Sequence, residues 1–305
     1  MPALLAQRLN NPAPALFDRG RAVSYRELFD ASARIAQGLR RLGVRAGDCV
    51  ALWLPNLPAW LATFFGCARL GAIAVSVNTR FRSHELADIL QRSRARVLLF
   101  WPEFKGIDFA GILAACDPRA LEALEAVIVY GESGAPAPAS VLGKPAQAYA
   151  VLAAGAPLRE DDATPQAGCA IFTTSGTTKA PKFVLHDQRT VLSHAFDVVR
   201  GFGLAGDSVL LLAPPLCGVF GFCGALASIA AARPFVMAPA WQPEEAAAAL
   251  VAQRVTHAIG TDEACAQLLD CGARVDRLRF FGYAAFNPAQ GDIVQRADAK
   301  GLKLV

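Results

Sequence analysis

Histidine is scarce in this chain, with four among 305 residues, and none of the eight cysteines forms a Cys-x-x-Cys pair. The spacing patterns of structural zinc are therefore missing. No Gly-x-Ser-x-Gly elbow occurs, and no Gly-x-x-x-x-Gly-Lys-Ser/Thr loop opens a helix. Charge is also thin. Only 18% of residues are charged, and 30 basic residues face 26 acidic ones for a net +4. A scattered, nearly balanced charge gives no footprint for nucleic acid. The N-terminal stretch MPALLAQRLNNP lacks the basic start and apolar run of a secretory signal.

What the chain does have is apolar content, 54%, enough for a large core and against global disorder. Cys49, Cys67, Cys116, Cys169, Cys217, Cys223, Cys265 and Cys271 lie mostly in apolar runs, where a thiol acts as a small hydrophobe. The expectation is a reduced, cytoplasmic protein. Residues 208–232 carry no charge, but Pro214 and Pro215 split them. Gly218, Gly221 and Gly224 follow, so strand, loop and buried helix fit better than a membrane span.

Strand and helix patterns alternate along the chain. Ser24 and Glu27 have the spacing of a capping box, followed by Leu28, Ala31, Ile35, Leu39 and Leu42 at helical intervals. Strands are expected at 49–54, 72–77, 96–100, 127–130, 208–212, 235–238, 256–259 and 278–281. Helices are expected at about 58–70, after Ser83 as cap, from about 189, and at 244–253 and 288–297. Residues 131–146, rich in Gly, Ala and Pro, read as a surface loop. This rhythm predicts an α/β fold of layered βα units with largely parallel sheets.

The most informative stretch runs from Cys169 to Lys182. An apolar strand leads into Thr173, Thr174, Ser175, Gly176, Thr177 and Thr178, a poor core for strand or helix. It is a good anion cradle, because Gly176 tolerates positive φ and lets successive N–H groups converge on a phosphate. Hydroxyls add donors and Lys182 adds a compact charge. An ordinary polar turn has the same composition, so the order of residues matters. After Lys182 comes Phe183-Val184-Leu185, a strand pattern, and a helix begins only near Arg189. The loop is therefore expected to join two antiparallel strands.

In that order, Thr174-Ser175-Gly176-Thr177-Thr178-Lys179-Ala180-Pro181-Lys182 resembles the phosphate loop of the adenylate-forming superfamily, the AMP-dependent synthetases and ligases. That signature usually reads Thr-Ser-Gly-Thr-Thr-Gly-x-Pro-Lys-Gly; here Lys179 and Phe183 replace the two later glycines. The resemblance extends along most of the chain. Val23-Ser24-Tyr25-Arg26-Glu27-Leu28, Gly47-Asp48-Cys49-Val50-Ala51, Gly71 to Asn78, Glu85-Leu86 and Val255-Thr256-His257 all match in order. Pro215-Leu216-Cys217-Gly218-Val219-Phe220-Gly221 is similar to a Pro-Leu-x-His-x-x-Gly turn with Gly218 in place of histidine. Phe281-Gly282-Tyr283-Ala284 lies where the family has Gly-Gly-Ala-Pro.

The resemblance implies the large N-terminal part of an acyl-CoA synthetase. Residues 1–305 would be an incomplete AMP-binding domain with subdomains at about 1–165 and 166–305. A carboxylic acid would be activated with Mg2+ and ATP and passed to CoA. Thr174, Ser175, Gly176, Thr177, Thr178 and Lys182 would hold ATP phosphates, with Lys182 catalytic. Gly218, Phe220, Gly282 and Ala284 would line the acyl or adenine pocket. The family's Tyr-Gly-x-Thr/Ser-Glu motif, ribose aspartate and C-terminal lysine are not among these residues. The apolar ending at Leu302–Val305 reads as a truncation, and the chain alone is expected to be inactive. A degenerate nucleotide-binding relative, or a module loading a carrier protein, remains an alternative. His186 fits the pattern and reads more readily as structural; His84 and His194 have no evident partner, and Asp161-Asp162 reads as a solvated turn.

Overall fold

The computed structural model describes residues 1–132, 134, 136–174 and 182–305. In chain order they form helix α1 (Pro2–Ala6), the hairpin β1 (Leu16–Asp18) and β2 (Arg21–Val23), α2 (Tyr25–Arg41), β3 (Cys49–Trp53), α3 (Pro58–Arg69), β4 (Ile73–Ser76), α4 (Ser83–Ser93), β5 (Val97–Phe100), α5 (Phe109–Ala114) and β6 (Ala126–Val129). Then come β7 (Ser140–Val141), β8 (Lys144–Ala148), α6 (Tyr149–Ala154), β9 (Gly168–Thr174), β10 (Lys182–Asp187) and α7 (Gln188–Phe202). The last part holds β11 (Leu210–Leu212), α8 (Val219–Ala230), β12 (Phe235–Met237), α9 (Pro243–Ala252), β13 (His257–Thr261), α10 (Asp262–Asp270), β14 (Phe280–Ala284) and α11 (Ile293–Asp298).

Two compact units result. The first takes Met1–Ala6, Glu27–Pro55 and Ala59–Val191; the second takes Gln7–Arg26, Asn56–Pro58 and Leu192–Val305. The first is built on an eight-stranded sheet in the order β10-β9-β4-β3-β5-β6-β8-β7. Its inner pairs are parallel, and the pairs at either edge, β10 with β9 and β7 with β8, are antiparallel. Every residue of β3, β4 and β5 is buried. This is why those segments read as unbroken apolar runs, since both sheet faces are covered. The second unit is built on a six-stranded sheet, β14-β13-β11-β12-β1-β2, parallel except for β1 with β2. Helices α9, α10 and α11 cover the face bearing Leu211, Val236, Ala258 and Phe281. Gly224 of α8 approaches Leu210, Leu212 and Ile259 on the other face.

The layered α/β class with largely parallel sheets is as expected, and α2 begins one residue after Ser24. The uncharged stretch at 208–232 is β11, a loop and α8. Among the described residues no helix is long and apolar enough to cross a membrane.

Several local expectations change. Ser83 is the first helical residue of α4, not its cap. Arg82 holds the cap position in extended backbone, and the Glu85 carboxylate accepts its N–H at 3.0 Å. Within the expected loop at 131–146, residues from Ser140 onward fold into the β7–β8 hairpin over a two-residue turn. That turn puts Leu142 and Gly143 both at positive φ, as such tight hairpins require. The strand expected at 278–281 lies at 280–284, and the helix expected at 288–297 is a short 3₁₀ turn (Pro288–Gln290) followed by α11. Asp161-Asp162 is exposed, as expected, and both carboxylates are also paired. Asp161 pairs with buried Arg69 at 2.7 Å, and Asp162 pairs with Arg40. The last residues run beside β14, where Leu304 bridges Phe281 in parallel.

Candidate active site

In the second unit, β11, β13 and β14 are parallel, so the chain leaves all three at one edge of the sheet. The crevice outside such strand ends is the usual ligand position in open α/β sheets. Three segments meet this edge: residues 213–218 after β11, the start of α10 after β13, and residues 285–287 after β14.

The first segment is pinned by a residue that sequence reasoning did not single out. Asn56 is buried; its Nδ2 donates to the Pro214 carbonyl at 3.1 Å, and its Oδ1 accepts the Leu216 N–H at 2.7 Å. The turn then enters α8 with Gly218 at the cap position, φ −103° and ψ 148°. Those angles suit any residue, and an added Cβ would meet the Pro215 carbonyl at an ordinary 3.5 Å. The backbone does not demand glycine here; its effect is to leave side-chain space empty. Gly221 is different, because a Cβ there would lie 2.3 Å from the Pro215 oxygen. Phe220 in the first turn of α8 is half-buried.

The third segment is held by Asp262, also unflagged by sequence reasoning. Its side chain accepts backbone N–H groups from Asn287 at 2.7 Å, Phe286 at 2.9 Å and Glu263 at 2.9 Å. Burial pushes the Asp262 carboxyl up, but these donors outweigh it and hold the group below the usual carboxylate range. Thr261 caps the same helix by accepting from Ala264 at 3.1 Å. The available signal was an Asp one residue past a strand end.

Gly282 lies inside β14, buried, with an added Cβ only 3.2 Å from Ile259; it is committed to strand packing. Ala284 ends the strand opposite Thr261. Thus Gly218, Phe220 and Ala284 share the carboxyl edge. The strands that lead to them, β11 and β14, are separated by β13, a lateral gap of about 10 Å between strands. His257, in a matching segment, starts β13 at the opposite edge, with its ring edge-on to Phe280 at 4.9 Å. A cavity of about 420 Å³ lies on the α9 face, lined by Leu211, Val236, Met237, Trp241 and Ala249 with Arg19 at its rim, and none of the four proposed pocket residues lines it.

In the first unit, β9 and β10 are antiparallel and the pair Thr174 with Lys182 closes the ladder. The two ends of the threonine-rich segment are therefore brought to one cross-strand position. Ser175, Gly176, Thr177 and Thr178 lie outside the described residues. Lys182 is exposed. Phe183, in place of the usual glycine, carries the guanidinium of Arg92 at 4.1 Å from its ring centroid. His186 is half-buried, with its ring 6.3 Å from Phe172. Asp187 accepts from Thr190 at the start of α7, and those bonds hold its carboxyl low.

Burial pushes the Cys169 thiol up to about 12 and Cys49 up to about 11, which removes nucleophilic thiolate chemistry from both. No group of three or more His, Cys, Asp or Glu among the described residues is arranged to hold a metal ion.

Comparison with known proteins adds three findings. The family model described as AMP-binding enzyme matches residues 6–303. Among curated relatives, a feruloyl-CoA synthase of Amycolatopsis sp is 32% identical over 209 residues, 68% of this chain and 37% of the relative. The 3-hydroxybenzoate/4-hydroxybenzoate CoA ligase of Thauera aromatica is 30% identical over 252 residues, 82% and 46% respectively. The chain spans less than about half the length of these relatives. Among solved structures, the inhibitor-bound N-terminal domain of FACL13 from Mycobacterium tuberculosis superposes with a TM-score of 0.82 at 23% identity, covering 99% of this chain and 74% of that one. The o-succinylbenzoate CoA synthetase of Bacillus subtilis, in complex with its acyl-adenylate, gives 0.80 at 23%, covering 100% and 57%. At these identities the superpositions establish the fold.

Proposed function

Because the chain belongs to the AMP-binding enzyme family, we propose that it supplies the triphosphate-holding wall and part of the acid pocket of an ATP-dependent carboxylic acid–CoA ligase. A carboxylate oxygen attacks the α-phosphorus of Mg-ATP, and pyrophosphate leaves with the electron pair of the broken P–O bond. The CoA thiol then attacks the acyl carbon, loses its proton and displaces AMP. The protein contributes positioning and charge stabilisation. Thr174, Ser175, Gly176, Thr177 and Thr178 offer hydroxyl and N–H donors to the β- and γ-phosphates, and Lys182 neutralises charge on the leaving pyrophosphate. Gly218, Phe220 and Ala284 approach the acid or the nucleotide base, while Gly282 packs within its strand beneath them.

The observation that carries this reading is the pairing of Thr174 with Lys182. It sets the exposed Lys182 across the ladder from the residue that opens the threonine-rich segment. Lys182→Ala is expected to weaken Mg-ATP binding by roughly 1.5–3 kcal/mol, about ten- to a hundredfold, while leaving the thermal midpoint unchanged. Equal affinity in wild type and variant refutes the assignment. Residues 1–305 alone are expected to bind nucleotide without acid-dependent pyrophosphate exchange, since positioning both reactants accounts for much of the rate.

A second reading, nucleotide binding without turnover, is favoured by Gly218, whose backbone is satisfied by any residue and where the related turn carries a histidine. Exchange assays on this chain joined to the remaining portion of a full-length relative separate the two. Acceptor choice then separates CoA from a carrier protein.

A further inference from the structure

We propose that Arg92 and Phe183 form a positioning device that sets the direction of Lys182; the inference rests on the phosphate reading of that lysine. Among the described residues, β10 ends its sheet and pairs only with β9. Lys182 is its first residue. Side chains alternate along a strand, so Lys182 and Val184 face one side while Phe183 and Leu185 face the other. Lys182, Val184 and Leu185 are all exposed. Phe183 is the one residue among 182–185 with substantial cover.

That cover is the guanidinium of Arg92, 4.1 Å from the ring centroid. Arg92 sits in the last turn of α4 and is itself braced by Asp88 one turn back, Nη1 to Oδ2 at 2.8 Å. Helix α4 is anchored by buried Leu86, Ile89 and Leu90. A rigid chain of contacts thus runs from the helix through Asp88, Arg92 and the Phe183 ring to the backbone adjoining Lys182. An edge strand held by one ladder can roll about its own axis, and a flat cation stacked on an aromatic face resists that roll. Fixing the roll fixes the side from which Lys182 projects. The similar loops with glycine at this position have no ring for such a clamp, so the device belongs to this chain.

The test is a double-mutant cycle on the 305-residue chain, with Mg-ATP affinity measured by titration calorimetry and folding checked by circular dichroism and thermal midpoint. Arg92→Gln and Phe183→Leu are each expected to weaken Mg-ATP binding two- to fivefold. The double variant should be no weaker than the weaker single. Phe183→Tyr should keep near-wild-type affinity, whereas Arg92→Lys, which keeps the charge but not the flat guanidinium, should recover little of the loss. In a Lys182→Ala background, Arg92→Gln should have no further effect, which a merely structural contact would not produce. Additive single effects, or an Arg92→Gln variant with a lowered midpoint and wild-type affinity, would overturn the positioning role. A wild-type chain that binds no Mg-ATP would instead overturn the nucleotide reading itself, and this inference with it.

Discussion

The two units fix their candidate residues by different means. In the second, the relevant loops leave buried parallel strands, and each is tied down by a buried polar side chain: Asn56 under the Pro214–Leu216 turn and Asp262 under residues 286–287. In the first, Lys182 stands on an exposed edge strand held by one ladder and a surface cation–aromatic contact. Hydrogen bonds to buried charged groups contribute more than exposed contacts, because the unpaired alternative is so costly. Stability should therefore be sensitive to the second unit's pins, whereas ligand affinity, and not stability, should report on the first unit's edge.

The sharpest way to break this contrast is Asp262→Ala. It removes the acceptor for three backbone N–H groups, two of them on the loop after β14. A loss of about 3 kcal/mol is expected in urea unfolding at pH 7. The effect should also depend on pH. The folded Asp262 carboxyl lies below its ordinary range, so its contribution is full above the unfolded value, about pH 4. It is lost as pH falls through the folded value. The gap between wild type and Asp262→Asn should close in acid; a gap that persists unchanged at pH 2–3 would assign the effect to packing.

Asn56→Ala comes next, at about 2 kcal/mol, since it leaves the buried Leu216 N–H and Pro214 carbonyl without this partner. Gly221→Ala should cost roughly 1–2 kcal/mol through overpacking on the Pro215 carbonyl. The smallest effect is Gly218→Ala, three residues away, which meets only an ordinary contact. It should change the unfolding free energy in urea by no more than about 0.5 kcal/mol. Equal losses at Gly218 and Gly221 would show that the turn, and not the single close approach, sets the glycine requirement.

The legible parts of the fold were those where local pattern and burial agree. Cys49–Trp53 and Ile73–Ser76 are strands buried on both faces, and continuous apolar runs announce them. The β7–β8 hairpin was hidden because its turn asks Leu142 to adopt positive φ, a conformation leucine does not advertise. The β1–β2 hairpin was hidden because three-residue strands carry too little period to count. At the candidate site, the two antiparallel strands that flank the threonine-rich segment were legible from the order of the residues. Asn56 and Asp262 were not, since their partners are backbone groups far along the chain, and a lone polar residue in an apolar stretch does not reveal them.

The pairing of β1 with β12 sets Leu16 against Phe235, and this has a consequence for synthesis. At the usual 5–20 residues per second, β1 and β2 leave the ribosome about 10–40 s before their partner strand exists. The second sheet cannot close from its N-terminal side until β12 has been made, whereas strands of the first sheet from β3 to β6 become available in quick succession. The nascent chain would thus assemble its first unit around a gap in the sequence, with residues 7–26 waiting as an unattached arm. A chain stalled shortly before Phe235 should leave that arm open to protease and the first unit already protected.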